Sequence, residues 1–282
     1  IEKWMRELLT GMVESNMSTM FTDVNEKTSE IAAQVGRTPQ NWNSSVFSMI
    51  QNLSESVVVP IAGIIITLVL CYELISMLTE RNNLHDVDTW MFFKYFVKAW
   101  VAIYLVSNTF TITMAVFDVG QSVVNSASGI INGETAIDVS SLSMQMQAAM
   151  ATMEIGELVV LALETFLVSF CMKIMSVVIT VIVYGRMIEI YLYTSLAPIP
   201  FATMSNREWG HVGTNYFRGL FALAFQAFLM MVCVAIYAAL ISSVRISSNM
   251  HSALIGVAAY TVILCFSLMK TGSLSKQIFG SH

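Results

Sequence analysis

Long apolar segments alternate with short polar links along most of the chain, and this alternation is its dominant pattern. The apolar segments cover residues 57–78, 92–117, 157–184, 187–203, 219–241 and 253–269. A helix needs ~20 mostly apolar residues to cross the ~30 Å hydrocarbon core of a bilayer. The pattern therefore predicts an all-α, polytopic transmembrane protein with about five spans, and six spans as the alternative.

Residues 155–204 depart from this simple pattern, because a continuous apolar stretch carries charges and two prolines. Its charged residues are Glu157, Glu164, Lys173, Arg186 and Glu189. A charge at the bilayer centre costs ~2.5–3.5 kcal/mol on insertion scales, so we expect these side chains to face protein or water. Pro198 and Pro200 lack amide protons and disfavour helix at the preceding residue, which predicts a backbone break near Ala197. The segment is then re-entrant, lies laterally, or ends one long bent helix, with its broken backbone in contact with protein or water.

Residues 1–55 form a separate N-terminal region ahead of a transmembrane domain at 56–282. Apolar residues at i, i+3 and i+4 spacing, among them Trp4, Leu8 and Met12, predict a first helix with one apolar face. This helix is too polar to span a bilayer. We therefore expect an extracytoplasmic or interfacial helix whose apolar face lies in the membrane surface or in a groove of a neighbouring subunit.

Local signals predict where the helices of this region begin and end. Gly36 is typical of the position just after a helix. Thr38 can cap the next helix, and Pro39 suits its first turn. A second amphipathic helix is then expected to lead into the first span.

Composition supports an integral membrane protein, since 56% of the residues are hydrophobic, only 12% are charged, and the mean hydropathy is +0.68. The net charge is −5, and no cluster of Lys and Arg could follow nucleic-acid phosphates. The sequence therefore gives no indication of a basic DNA-binding groove within one subunit.

The distribution of Lys and Arg predicts the orientation. The positive residues that flank the links and the tail are Arg81, Lys94, Lys98, Arg207, Arg218, Lys270 and Lys276. The polar loop expected at 118–154 contains neither Lys nor Arg. Positive segments stay in the cytoplasm, so we expect the N-terminus and this loop outside the inner membrane and the C-terminus in the cytoplasm.

No catalytic motif is present, and the four histidines and four cysteines are scattered without metal-ligand spacing. Each cysteine lies in an apolar run, where the residue type usually packs as a small hydrophobe. We therefore expect no enzyme activity, no cofactor and no metal site.

Two pairs of charged residues are the main candidates for polar function. Arg186 and Glu189 are three positions apart and can pair on one helix face, either in a conduit or subunit interface or as an anchor at the cytoplasmic surface. Glu164 and Lys173 are nine positions apart, so they point to opposite sides of a straight helix and need separate partners on other helices or subunits. Unpaired intramembrane charges and an uncovered apolar helix face together predict a homo-oligomer. The candidate conduit or interface residues are Glu164, Lys173, Arg186, Glu189, Pro198 and Pro200.

Several segments resemble the TrbL-like conjugal transfer family, in particular the branch carried on integrative conjugative elements of Firmicutes. These segments are residues 34–39, 42–43, 47–50, 60–63, 114–118, 121–125, 184–191 (YGRMIEIY), 197–203 (APIPFAT) and 270–274. The resemblance covers nearly the whole chain, and its motifs are structural rather than catalytic.

The resemblance implies the polytopic VirB-type inner-membrane subunit of a type IV secretion system, a channel or scaffold part of a machine that transfers DNA and protein. Such subunits work with a cytoplasmic ATPase, bitopic membrane subunits and membrane lipids, and any contact with the transferred single-stranded DNA–protein substrate would be indirect. The residues alone leave one alternative open, which is a self-contained oligomeric ion or small-solute channel or transporter.

Overall fold

The computed structural model describes residues 2–79, 89–131, 139–244 and 250–281, so Arg81 lies outside the described residues. Throughout these ranges the regular structure is helical. The helices are α1 (Glu2–Val35), α2 (Pro39–Trp42), α3 (Ser44–Leu53), α4 (Val59–Thr79), α5 (Thr89–Ser107), α6 (Thr109–Ile131), α7 (Val139–Ala151), α8 (Ile155–Ser195), α9 (Pro198–Thr203), α10 (Gly210–Ser242) and α11 (Met250–Phe279), with a π-helical turn (Ser54–Val58) joining α3 to α4.

Five helical segments of the described chain are long and apolar enough to cross a membrane. They are Ser44–Thr79, Thr89–Ser107, Ile155–Ser195, Gly210–Ser242 and Met250–Phe279. The predicted all-α polytopic membrane protein with about five spans is therefore confirmed.

The second predicted span, at 92–117, is divided at Asn108. The Asn108 side-chain amide donates to the Tyr104 carbonyl at 2.9 Å, and its backbone amide donates to the same carbonyl at 3.1 Å. The Ile112 amide in turn donates to the Asn108 carbonyl at 3.0 Å, so regular i→i+4 bonds continue on both sides of this one-residue division. Beyond this point α6 and α7 make most of the described part of 118–154 helical, which corrects the expectation of a loop. Polar composition does not by itself end a helix, and no proline interrupts this stretch.

The chain forms two compact units, each assembled from three segments. Unit 1 comprises Ile1–Gly36, Val124–Tyr184 and Phe228–Thr271, and unit 2 comprises Arg37–Val123, Gly185–Ala227 and Gly272–His282. In the N-terminal part of the chain the division between the units falls at 36/37.

Within unit 1, α1 lies along α8 and is partly covered by its own chain. Arg6 donates to the Met153 carbonyl at 2.8 Å, and Lys27 donates to the Thr180 hydroxyl at 3.1 Å, so the two helices run in the same direction. The buried side chains of α1 are Val13, Met17, Met20, Phe21, Val24, Ile31 and Val35. The sequence predicted that the whole apolar face of α1 would be uncovered, because residue spacing alone did not separate its buried stripe from its exposed stripe.

The second stripe of α1 remains on the surface. Trp4, Leu8 and Met12 are 64%, 49% and 46% exposed, at a spacing of four residues. These are the residues that the sequence proposed for an interfacial helix, and they stay candidates for contact with lipid or a partner.

Unit 2 contains the short helices and the broken segment. Thr38 caps α2, its hydroxyl accepting from the Asn41 amide at 3.2 Å, as the sequence predicted. The Tyr191 hydroxyl donates to the Pro39 carbonyl at 2.6 Å and thereby ties α2 to α8. A second tie joins α4 to α5, where Lys98 pairs with Glu73.

Candidate functional site

The long helix α8 ends at Ser195, and after the turn at Leu196 and Ala197 the short helix α9 begins at Pro198. This is the predicted break, but only one of its two predicted causes, the missing amide protons of the prolines, applies. Ala197 keeps right-handed helical backbone angles of φ −50° and ψ −39°, so the residue before the proline is not extended. The chain instead changes to i→i+3 bonding, with Ala197 N–H donating to the Thr194 carbonyl at 3.3 Å and Ile199 N–H to the Leu196 carbonyl at 3.2 Å. Pro198 and Pro200 have no amide proton for the regular i→i+4 bonds to these carbonyls.

Two tyrosines join the end of α8 to α10. The Tyr216 hydroxyl donates to the Tyr193 carbonyl at 2.6 Å, and the Tyr193 hydroxyl donates to the Tyr216 carbonyl at 3.2 Å. The last carbonyls of a helix have no partner within the helix, so the bond from Tyr216 supplies a donor where α8 runs out of amides.

The broken segment is buried in protein. Helix α9 packs against α4 and α5 within unit 2. The shared apolar core consists of Ala62, Ile66, Leu70, Ala102, Val106, Ala197, Phe201, Ala202 and Tyr216. The break therefore meets the requirement that irregular backbone at membrane depth be surrounded by protein.

Arg186 lies on the buried face of α8 with only 7% of its surface exposed. Its Nη2 donates to the Leu223 carbonyl of α10 at 3.3 Å. Its Nε is buried and has no hydrogen-bond partner. The guanidinium therefore retains donor capacity for a further acceptor. Such an acceptor would stabilise it, because a buried cation is costly unless it is paired and hydrogen-bonded.

The expected Arg186–Glu189 ion pair is replaced by a longer-range contact. Glu189 pairs with Lys276 of α11 at 3.0 Å. In addition, the buried Ser275 hydroxyl donates to the Ala222 carbonyl of α10 at 2.6 Å. Together with the Arg186–Leu223 bond, these contacts join α8, α10 and α11 pairwise. We call this set the polar triangle.

In unit 1, Glu164 and Lys173 differ in their surroundings. Glu164 pairs with His251 in the first turn of α11, so its partner is on another helix, as the sequence indicated. Lys173 is exposed on α8, and none of the ion pairs of the described chain includes it. The structure therefore keeps these two residues apart and brings Arg186, Glu189 and Pro198 into one unit.

Sequence reasoning missed the partners of these charges. Lys276 and His251 each lie 87 positions after the carboxylate that they contact, and no local spacing connects residues that far apart. The YGRMIEIY stretch at 184–191 marked the position of Arg186 and Tyr191, but nothing in it identified Leu223 or Tyr216. Over the described ranges, no three His, Cys, Asp or Glu side chains gather as metal ligands.

Comparison with known proteins identifies the family. A family model described as TrbL/VirB6 plasmid conjugal transfer like protein matches residues 24–198, which is more than half of the 282-residue chain. The match begins within α1 and ends at Pro198. No curated protein and no solved structure matches the chain.

The fold and the site together define a polytopic helical membrane protein with polar contacts and a broken helix packed inside it. The chain belongs to the TrbL/VirB6 plasmid conjugal transfer-like family, which confirms the resemblance seen in the sequence. It is a membrane subunit of a conjugal transfer system.

Proposed function

We propose that this protein is a channel or scaffold subunit of a conjugative type IV secretion system, and that it supports the transfer of DNA and protein across the cytoplasmic membrane. The observation that carries the proposal is the family match over 24–198, a range that includes Lys173, Arg186 and the first proline of the break. The family is a structural component of conjugation, so the activity expected of this chain is assembly rather than catalysis.

Two features of unit 2 support a role beyond simple anchoring. An anchor needs only an apolar helix, whereas α8 carries a buried arginine and ends in a break packed by α4 and α5. Both features are costly in lipid and are tolerated where protein surrounds them. We assign Arg186, Glu189, Pro198 and Pro200 to this conduit or interface element, and Glu164 and Lys173 to two separate polar positions in unit 1.

The proposed location is the cytoplasmic membrane, with the N-terminus outside and the C-terminus inside. Lys270 and Lys276 near the C-terminus, against the absence of Lys and Arg from 118–154, favour this orientation. The start of the N-terminal region, residues 1–55, is then extracytoplasmic or interfacial, and helix α1 continues from there along α8 towards the membrane interior. Residues 56–282 form the transmembrane domain.

The proposed partners are further copies of this chain, a cytoplasmic ATPase, bitopic membrane subunits and membrane lipids. Trp4, Leu8 and Met12 form an exposed apolar stripe suited to one of these contacts. Contact with the transferred DNA–protein substrate is indirect, because the net charge of −5 and the scattered cations provide no basic groove in one copy.

The test is a donor strain that lacks this gene and carries it again on a plasmid. We expect transfer to be lost without the gene, to return with the plasmid copy, and to be unaffected when the gene is absent only from the recipient. Normal transfer from the deleted donor would contradict the proposal. If deletion altered solute uptake and left mating unchanged, the alternative of a self-contained channel or transporter would be correct.

A further inference from the structure

One face of α8 in unit 1 is apolar and exposed, with a single cation in its middle. Its exposed apolar residues include Leu163, Phe166, Phe170, Ile174, Val177 and Val181, at helical spacing. Lys173 lies among them, exposed and without a hydrogen bond or ion pair in the described chain. Exposure of this lysine to lipid would cost ~2.5–3.5 kcal/mol on insertion scales, so the position calls for a polar partner.

The exposed face of α1, also in unit 1, has the opposite character after Met12. Its residues are small and mostly polar, and they recur every three or four positions as Ser15, Ser18, Thr22, Glu26, Ser29 and Ala33. Glu26 is the acid in this row, and no ion pair or hydrogen bond within the described ranges engages it. Small residues allow the close approach of a second helix within a membrane.

A groove beside this face leaves room for side chains of a neighbouring helix. A cleft of about 380 Å³ opens there, and α1 lines it with Ser29, Ala32, Ala33 and Gly36. On the exposed face of the parallel helix α8, Val177 and Val181 follow Lys173 by about the same distance as the cleft residues Ser29 and Ala33 follow Glu26.

Glu26 of α1 and Lys173 of α8 lie at nearly the same height along these two parallel helices. Asp23 and Lys27 of α1 line one small cavity together with Met172 and Ser176 of α8. Glu26 falls between the first two positions, so it lies within about one helical turn of the level of Lys173. In a ring of identical copies around an axis along these helices, residues that meet must lie at equal heights. Glu26 and Lys173 meet this condition.

We propose that Lys173 of one copy forms an ion pair with Glu26 of the next copy, and that the bulky face of α8 packs against the small, polar face of α1. The inference rests on the homo-oligomer of the proposed function and assigns its interface. Because the two faces are different surfaces of the chain, the contact is head-to-tail and generates a closed ring when the rotation between copies closes.

Cross-linking between differently tagged copies tests the contact directly. Cys71, Cys171, Cys233 and Cys265 are free thiols and are first replaced by alanine. One tagged copy then carries Glu26→Cys and the other carries Lys173→Cys, so that any disulfide between the two tags joins two copies. Oxidation in native membranes is expected to give a dimer bearing both tags.

The matched control pairs Lys173→Cys with Ser18→Cys, which lies on the same α1 face but about 12 Å along the helix from Glu26. We expect little or no product from this pair. Equal yields from both pairs, no dimer from either, or cross-linking of Lys173→Cys only to a different protein would overturn the proposed interface.

Exchanging the charges of Glu26 and Lys173 distinguishes loss of their ion pair from a general folding defect. Lys173→Glu and Glu26→Lys should each reduce the oligomer in mild detergent, and the combined variant should restore it at unchanged membrane abundance. Failure of the combination to restore the oligomer would contradict the pairing. These measurements do not depend on mating. If deletion of the gene abolishes mating but the contact between copies does not form, only the proposed interface is refuted. If the contact forms but deletion of the gene leaves mating normal, only the proposed function is refuted.

Discussion

Tyr193 and Tyr216 hold each other by reciprocal hydrogen bonds, each hydroxyl donating to the other residue's backbone carbonyl, at 3.2 Å from Tyr193 and 2.6 Å from Tyr216. Their rings are stacked, with centroids 4.4 Å apart and planes inclined by 8°. The pair fastens the last turn of α8 to α10 two residues before the helix ends at Ser195.

The two hydrogen bonds of this pair should contribute unequally to the free energy of unfolding. Tyr216→Phe removes the donor from a carbonyl in the last turn of α8, where amide donors run out, and should cost ~1–3 kcal/mol. Tyr193→Phe removes a donor from a carbonyl inside α10, which the helix itself can satisfy, and should cost less. Thermal unfolding of the purified variants in one detergent measures both. Equal destabilisation by the two changes would refute the assigned role of Tyr216.

The two prolines should be needed because they stop α8. Pro198→Ala combined with Pro200→Ala restores amide donors for the Thr194 and Leu196 carbonyls, and Ala197 already has helical backbone angles. The helix can then continue and carry Phe201 away from α4 and α5. We expect donor mating frequency to fall sharply.

Pro39→Ala serves as the control for this change, because the first turn of a helix does not use the amide that alanine restores. It should mate at nearly the normal frequency. A membrane immunoblot confirms comparable amounts of each variant. Normal mating by the double variant would mean that the break is dispensable.

Gly120 should be intolerant of a side chain. A Cβ built on Gly120 of α6 would lie 2.8 Å from the Ala224 carbonyl oxygen of α10, whereas one on Gly63 of α4 would meet nothing within 4 Å. Gly120→Ala should therefore destabilise the protein by about 1–3 kcal/mol through overpacking. Gly63→Ala should be neutral or slightly stabilising because alanine favours helix. Thermal unfolding in detergent compares them, and a stable Gly120→Ala protein would contradict this close packing of α6 on α10.

Labelling of engineered cysteines can establish the orientation. We expect Met144→Cys in α7 to react with a membrane-impermeant maleimide in intact protoplasts and Gln277→Cys in α11 to react only after lysis. Both positions are exposed, whereas Ser275 is buried and would fail to react on either side of the membrane. The cysteine-free protein is the background. The reverse labelling pattern would overturn the proposed orientation.

Much of the fold follows from local sequence, and the missing parts are those that depend on distant residues. Apolar segment length predicted the spans, and Pro198 with Pro200 predicted the break, because each signal acts within a few residues. The burial of one stripe of α1 depends on packing against distant segments, which periodicity does not report. The candidate site also divides into parts that local sequence predicts and parts that depend on distant residues. Arg186 was recognised as a charge in an apolar helix, but its contact with Leu223 and the Glu189–Lys276 pair required the tertiary structure.

The most direct test of the central claim is the mating frequency of donors that carry Arg186→Ala. Arg186 is buried and joins α8 to α10, so its loss should disrupt the polar triangle in unit 2. Arg218→Ala, which changes an exposed arginine of α10, is the matched control. We predict that Arg186→Ala abolishes or sharply lowers transfer at normal membrane abundance while Arg218→Ala transfers normally. Normal mating by Arg186→Ala would show that this element is a passive anchor and would contradict the account.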